Sequence, residues 1–417
     1  MAQLTDDCFA FGGALMPVDA ALSLIAERIK PVAEREAVPL SRADGRVVAH
    51  EILSPIALPP FANSAVDGYA VRHADLDPQG ATELPLRDRI AAGGSAAGLT
   101  AQGVAVRVFT GAPLPADADT VFMQEDAKAT ASHVILPSGL RRGANLRHAG
   151  EDVAHGAVLL PAGRRMKPQD VALAAAVGLS AIAVRRRLKV ALFSTGDELA
   201  RPGQPLRDGA IYDSNRLLLS GLLQRFGAEV SDLGILRDDP TELASNLSAA
   251  ASGHDLILTS GGVSTGEEDH VKAAVEAIGK LVFWRLAIKP GRPVAMGMID
   301  GVPFAGLPGN PVAVFVTFCH VVRPLLARLN GMELTALPPF KVRSAFSYRK
   351  KPGRREYARV SLRASPDGTV EAVKHPQEGA GILTSLTETD GLAELAEEVS
   401  AVAPGDVVGF LPYAMIW

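Results

Sequence analysis

Three short loops carry residues whose types and spacing suit chemistry on a phosphoanhydride. Ser194-Thr195-Gly196-Asp197-Glu198 follows the apolar run LKVALF. The segment SGGVSTGEED, from Ser260 to Asp269 and including Gly261, Gly262 and Ser264, follows DLILT. Gly306-Leu307-Pro308-Gly309-Asn310-Pro311 follows VPFA. Glycines let backbone N–H groups approach an anion, and a helix starting next favours negative charge. Carboxylates in the same loops would repel a bare phosphate. They make sense with a divalent cation in between, as hard oxygen ligands for Mg²⁺. Basic residues supply a second feature. Arg285 and Lys289 stand four apart in LVFWRLAIKPGRP, with Arg292 nearby. In a strand that spacing puts two cations on one face, where they can hold an oxyanion. The same spacing also suits two surface charges with their apolar stems packed down.

Each signal taken singly has a plainer reading. GGVSTG is a turn, and Asp269 a helix N-cap. Asp213 and Ser214, ahead of a Leu-rich stretch, are caps too, and Asp238-Asp239-Pro240 is a turn that opens a helix. Taken together at three strand ends, these features favour a ligand site. Several standard motifs are absent: the G-x-x-x-x-G-K-[ST] phosphate loop, G-x-G-x-x-G and HExxH. His50 and His320 sit in apolar or helical contexts and read as structural.

The elements that must position these loops follow from periodicity. Val18, Leu22, Ile25 and Ile29 recur at helical spacing after Pro17 and predict a helix ending near Lys30-Pro31. Residues 51–150 alternate short apolar runs with Gly, Pro and Asp clusters, a β-rich texture. From Leu188 strands and helices alternate, with a helix over 213–226 ended by Gly227 and another from Pro311 to about Asn330. Such alternation predicts a parallel sheet with helices on both faces, whose ligands bind beyond the carboxyl ends of its strands. After Gly331 the pattern turns to antiparallel β.

Bulk properties narrow the class. At 417 residues the chain exceeds one hydrophobic core, and 47% hydrophobic with 21% charged residues is ordinary globular composition. A net charge of -4 gives no reason to expect nucleic acid. Two cysteines, Cys8 and Cys319, exclude a disulfide framework. The start lacks the basic and apolar regions of a signal peptide, and the apolar stretch from Pro311 to Val322 is too short to span a bilayer. The expectation is a soluble protein of a reducing compartment, the cytoplasm, with no membrane partner.

The motifs in order carry a resemblance. PPFANSAVDGYA (59–70), FTGAPLP (109–115), RHAGED (147–152), STGDEL, YDSN, RDDP, SGGVSTGEEDH, AIKPGRP and GLPGNP follow one another. In this the chain resembles the molybdopterin molybdenumtransferases, the MoeA-type enzymes and the E domain of gephyrin. The resemblance implies a multidomain α/β plus β fold. An elongated region would join residues 1–52 to 151–186. A β-rich insert would span 53–150, a molybdopterin-binding α/β domain 187–333, and a barrel-like β-domain 334–417. It implies a homodimer whose clefts join the α/β domain of one subunit to the insert of the other. Functional positions carried over are Asp67, Thr110, Asp152, Glu198, Asp238, Asp269, Arg285 and Lys289. Glu198, Asp238 and Asp269 are the expected Mg²⁺ group. Ser194, Thr195, Gly196, Ser214, Asn215, Gly261, Gly262, Ser264, Pro308, Gly309, Pro311 and Arg354 are expected at the substrate. Arg285 stands where many relatives have Lys, and Ala380 where they have Ser. The implied reaction inserts molybdate into adenylylated molybdopterin with release of AMP. Adenylylation of molybdopterin is the alternative enzyme reading, and a gephyrin-like scaffold the non-catalytic one. Implied partners are a molybdopterin adenylyltransferase and molybdoenzymes.

Overall fold

The computed structural model describes residues 15–237, 239–262, 270–332 and 339–416. The helix Val18–Arg28 opens after Pro17 and buries Val18, Ala21 and Ile25, a three-four spacing that makes one apolar stripe. That stripe joins the core beneath the helix Arg323–Leu329. Past the helix the chain stays docked there, because Val32 N–H donates to the Leu329 carbonyl at 2.9 Å. Asp19 on the same helix meets Arg355 of the C-terminal domain through two bonds of 3.1 and 2.9 Å. The chain's first and last thirds are therefore tied together.

Arg35–Pro39 pairs antiparallel with Ala181–Arg185. The outgoing and returning chains then run side by side, with Val47 opposite Arg165, Ile52–Leu53 beside Val158–Leu160, Leu58 opposite Val153, and Asn63–Ser64 beside Leu146–Arg147. This ribbon carries the insert. The insert's six-stranded sheet has the order Thr120–Met123, Gly68–Val71, Ala105–Val108, Thr82–Ile90, His133–Leu136, Lys128–Ala129. Gly68, of the DGYA motif, has to be glycine: a Cβ there would overlap the Phe122 carbonyl oxygen on the neighbouring strand.

The α/β sheet has the order Glu229–Leu236, Lys189–Thr195, Leu256–Ser260, Val302–Leu307, Pro293–Ile299, Gly279–Arg285. The first four strands are parallel. Pro293–Ile299 runs against both neighbours, a departure from the all-parallel expectation. Its cause is Asp300-Gly301, with φ of 49° and 80°, a two-residue turn that returns the chain directly into Val302–Leu307. The helices Asn215–Phe226, Pro240–Ala251 and His270–Ile278 and the long helix from Pro311 cover the sheet. Successive side chains of Lys189–Thr195 serve opposite faces. Val190 and Leu192 join one core with Leu219, Leu222 and Leu223, and Ala191 and Phe193 join another with Leu243, Leu247 and Val271. Burial on both sides is why this strand reads as an unbroken apolar run.

The long helix from Pro311 runs to Leu329, as its periodicity predicted. Its 19 residues are long and apolar enough to cross a bilayer, yet 83% of an 18-residue window within it is buried inside the protein. Its middle, Phe318–Val322, widens to a π turn just before Pro324, which has no N–H to continue the regular ladder. In the C-terminal domain Arg355–Ala364, Val370–Lys374, Phe340–Ser344, Val407–Pro412 and Gly391–Leu395 pair in sequence, and the last pairs back with the first, closing a five-stranded barrel. Ile288–Lys289, leaving the α/β domain, adds in parallel beside Arg355 and Glu356.

Candidate functional site

Ser194, Thr195 and Ser260 end two adjacent parallel strands, and the 308–311 loop follows the third. One side chain ties the Ser260 end to the 308–311 loop. Asn215, at the start of its helix, donates from Nδ2 to Ser260 Oγ at 3.0 Å and to the Gly309 carbonyl at 2.7 Å. Ser260 Oγ in turn donates to the Pro308 carbonyl at 3.4 Å. Pro311 sits in the first turn of the next helix, where a missing N–H costs nothing. Together Thr195, Glu198, Asn215, Ser260, Gly309 and Pro311 border a cleft of about 90 Å³.

Glycine is required around this cleft. Gly261 and Gly262 have φ of 87° and 63°. A Cβ on Gly262 would overlap Thr195 Oγ1 and lie 2.8 Å from Val271. Gly196, with φ of 142°, leaves room for the Glu198 carboxylate, whose nearest oxygen would stand 2.5 Å from a Cβ there. Glu198 is exposed.

The hydroxyls are unusual. Among the described residues Ser194 Oγ, Thr195 Oγ1 and Asn215 Oδ1 are buried with no hydrogen-bond partner. Buried polar atoms without partners are costly, and those of Thr195 and Asn215, which line the cleft, mark places a ligand atom can take. Hard oxygens of this kind, beside the Glu198 carboxylate, fit Mg²⁺ and its phosphate. Asp238, Ser264 and Asp269 lie outside the described residues. Asp239 is committed elsewhere, because its carboxylate caps the helix Pro240–Ala251 by accepting from Thr241 and Glu242 N–H at 3.0 and 2.8 Å. Asp213 and Ser214 divide their expected roles. Asp213 is buried and paired with Arg216, which reaches on to Asp232, while Ser214 makes no cap bond.

A second cluster lies where the α/β domain meets the barrel. Lys289, Tyr348, Arg359, Lys374, His375 and Ala380 line a cavity of about 120 Å³. Lys289 Nζ donates to Tyr348 Oη and to Glu356 Oε2, both at 3.2 Å. Arg354, an expected substrate residue, donates to Glu356 Oε1 at 3.2 Å. Burial pulls the Lys289 ammonium down, but the Tyr348 and Glu356 contacts outweigh it and leave the group above its ordinary value. Arg359 is buried, with Nε on Ser385 Oγ and Nη2 on the Gln377 and Gly379 carbonyls. The Ala380 carbonyl accepts from Val312 N–H at 3.0 Å, so this segment touches the helix that follows the 308–311 loop. Arg285 is a correction. The sheet strand ends at Arg285, and Lys289 pairs with a different sheet, so the four-residue spacing does not place them on one face of one strand. Glu356, Tyr348, Arg359 and Lys374 were not singled out from sequence. The alternation in REYARVSLRA marked the strand, but nothing in it shows that its charges are buried.

The insert holds the remaining positions. Asp67 Oδ1 accepts from Thr110 N–H and from Thr110 Oγ1, each at 2.8 Å. The Thr110 backbone bond, then its hydroxyl, hold the Asp67 carboxyl below its ordinary range. Among the described residues these bonds stay within the insert. Asp152 is exposed on the ribbon, its N–H bonded to the Leu58 carbonyl at 3.0 Å.

The chain matches three family models: the MoeA N-terminal region (domain I and II) over residues 16–178, a probable molybdopterin binding domain over 191–328, and the MoeA C-terminal region (domain IV) over 341–413. It is 37% identical over 401 residues to the molybdopterin molybdenumtransferase of Haemophilus influenzae, covering 96% of this chain and 99% of that protein. Molybdopterin molybdenumtransferase 2 of Mycobacterium tuberculosis is 36% identical over 378 residues, 88% of this chain and 92% of that one. The crystal structure of the molybdopterin biosynthesis moeA protein from Pyrococcus horikoshii OT3 superposes with a TM-score of 0.80 at 30% identity, covering 96% of this chain and all of that one.

Proposed function

The chain belongs to the molybdopterin molybdenumtransferase family and is a transferase of molybdenum cofactor biosynthesis, and from that premise we propose how its residues divide the reaction. The substrates are adenylylated molybdopterin and molybdate. Gly196, Gly261, Gly262 and Gly309 leave space for the pyrophosphate, and Ser194, Thr195, Ser214, Asn215 and Ser264 supply polar atoms around it. Glu198, with Asp238 and Asp269, holds Mg²⁺, whose contribution when bound is to neutralise charge on the anhydride. Lys289, joined by Arg354 and Arg359, holds molybdate by charge-assisted hydrogen bonds. Water cleaves the anhydride and AMP leaves, and the two dithiolene thiols replace two molybdate oxygens, which depart as water carrying the thiol protons and two more from solvent.

The observation that carries this reading is the set of buried oxygens of Ser194, Thr195 and Asn215, without partners among the described residues, beside the bonds from Asn215 to Ser260 and Gly309. A separate cavity beside the same helix, lined by Lys289, Arg359 and Lys374 and by Glu378, supports the oxyanion part. Asp67, Thr110 and Asp152 act in a homodimer, each insert completing the partner subunit's cleft. The protein works in the cytoplasm, receives its adenylylated substrate from a molybdopterin adenylyltransferase, and passes the cofactor to molybdoenzymes. The test is direct. Purified protein given adenylylated molybdopterin, Mg²⁺ and molybdate should release AMP and form cofactor; AMP release without cofactor, or neither, defeats the reading.

A further inference from the structure

We propose that Glu356 is a positioning residue of this cavity, setting where Lys289 presents its charge and held in turn by Arg354. The inference rests on the reading of Lys289 as an oxyanion ligand given above. Glu356 stands on the barrel strand Arg355–Ala364 and is 1% exposed. A carboxylate so buried has to be paired and hydrogen-bonded. Its Oε2 accepts from Lys289 Nζ at 3.2 Å and from Tyr348 Oη at 2.9 Å, and its Oε1 accepts from Arg354 Nη2 at 3.2 Å. Two residues expected at the substrate therefore converge on one carboxylate that was not.

The donor inventory says what is left over. A lysine ammonium has three N–H donors. Tyr348 and Glu356 take two of those on Lys289, and the side chain is still 48% exposed at the cavity. One donor remains for an anion. A four-carbon stem alone would spread that donor over many rotamers, with an entropic cost on every binding event. The backbone contributes to the same end, because Lys289 is registered directly beside Glu356 where Ile288–Lys289 joins the barrel. Register fixes the Cα, and the carboxylate fixes the ammonium.

A purely architectural role, joining barrel to α/β domain, would use the same bonds, so the test has to separate the two. Molybdate is titrated calorimetrically into the full-length protein, and AMP release is followed at varied molybdate. Glu356→Gln should weaken molybdate binding by about tenfold, the scale of one charge-assisted contact, with kcat at saturating molybdate nearly unchanged. Lys289→Ala should weaken it similarly. The double variant should be no worse than Lys289→Ala alone, because the two act as one unit. Glu356→Asp keeps the charge but retracts it, and should fall between wild type and Glu356→Gln. Wild-type affinity in Glu356→Gln, or penalties that add in the double variant, would overturn the proposal. If Glu356→Gln does not fold, Glu356→Asp decides, and unchanged affinity there overturns it equally. If the wild-type protein takes up no molybdate, the oxyanion reading itself fails; if it does and the variants match it, only the role of Glu356 fails.

Discussion

Asn215 Nδ2 lies 2.7 Å from the carbonyl oxygen of Gly309, a residue 94 positions further along the chain. The same nitrogen reaches Ser260 Oγ, so one amide joins three segments that meet only in the folded sheet. Asn215→Ala should leave the Gly309 carbonyl and Ser260 hydroxyl short of a donor, at about 1–3 kcal/mol by urea unfolding. AMP release should fall by at least about tenfold in the folded protein, since a misplaced loop costs rate steeply. Full turnover in the folded variant would mean that the tie is structural only.

Gly262 allows a sharper contrast. Gly262→Ala places a methyl against Thr195 Oγ1 at a φ of 63°. The left-handed backbone alone costs an alanine about 1–2 kcal/mol. Gly253→Ala is the control, because a Cβ there meets nothing within 4 Å. Thermal unfolding and AMP release should both drop in the first variant and neither in the second. Equal behaviour of the two would remove the argument for a tight strand-end turn.

Asp67 and Glu198 test the shared cleft. Asp67→Ala and Glu198→Ala should each be inactive as homodimers. In a mixed dimer with composite clefts, one cleft receives both lesions and the other none. About half the wild-type activity should then return, taking the clefts as independent. The heterodimer is purified through two different tags. No recovery would place each cleft within a single subunit.

His320 predicts a pH dependence. Its Nε2 is buried without a partner among the described residues, and its ring stacks on Tyr357 at 4.6 Å. Burial, aided by Arg355 and Arg323, pushes the imidazole down to about 3. An unfolded histidine titrates near 6.5. Below that pH the unfolded chain binds a proton that the folded chain refuses. The contribution to stability is therefore full above pH 6.5, declines as pH falls, and levels off below about 3. The slope reaches about 1.4 kcal/mol per pH unit. Urea unfolding of wild type and His320→Leu between about pH 6 and 4 should differ by that slope. Parallel curves would show that the ring is protonated in the fold.

Much of the strand-end cleft was legible because its ingredients are local. A buried two-faced strand announces itself as an apolar run, and the glycines and acids that follow it are contiguous in sequence. Asp300-Gly301 carried the turn signal that reverses Pro293–Ile299, but an alternating pattern around it favoured the all-parallel reading. The Lys289 cavity was less legible. Lys289 meets Tyr348 and Glu356 across 59 and 67 residues, and the barrel closure that brings them together leaves no short-range mark. Arg285 shows the opposite failure: a spacing rule applied across the end of a strand, where the rule stops.

The helix Val18–Arg28 is made long before its seat. Its apolar stripe packs beneath Arg323–Leu329, and its Asp19 pairs with Arg355, 336 residues away. On a ribosome adding roughly 5–20 residues per second, about 15–60 s separate the helix from its seat. Throughout that interval Val18, Ala21 and Ile25 face water or whatever apolar surface a chaperone offers. The insert, by contrast, closes its sheet within residues 68–136 and is complete long before. The insert can therefore fold early in synthesis, while the helix that precedes it waits for residues 323–355 to emerge.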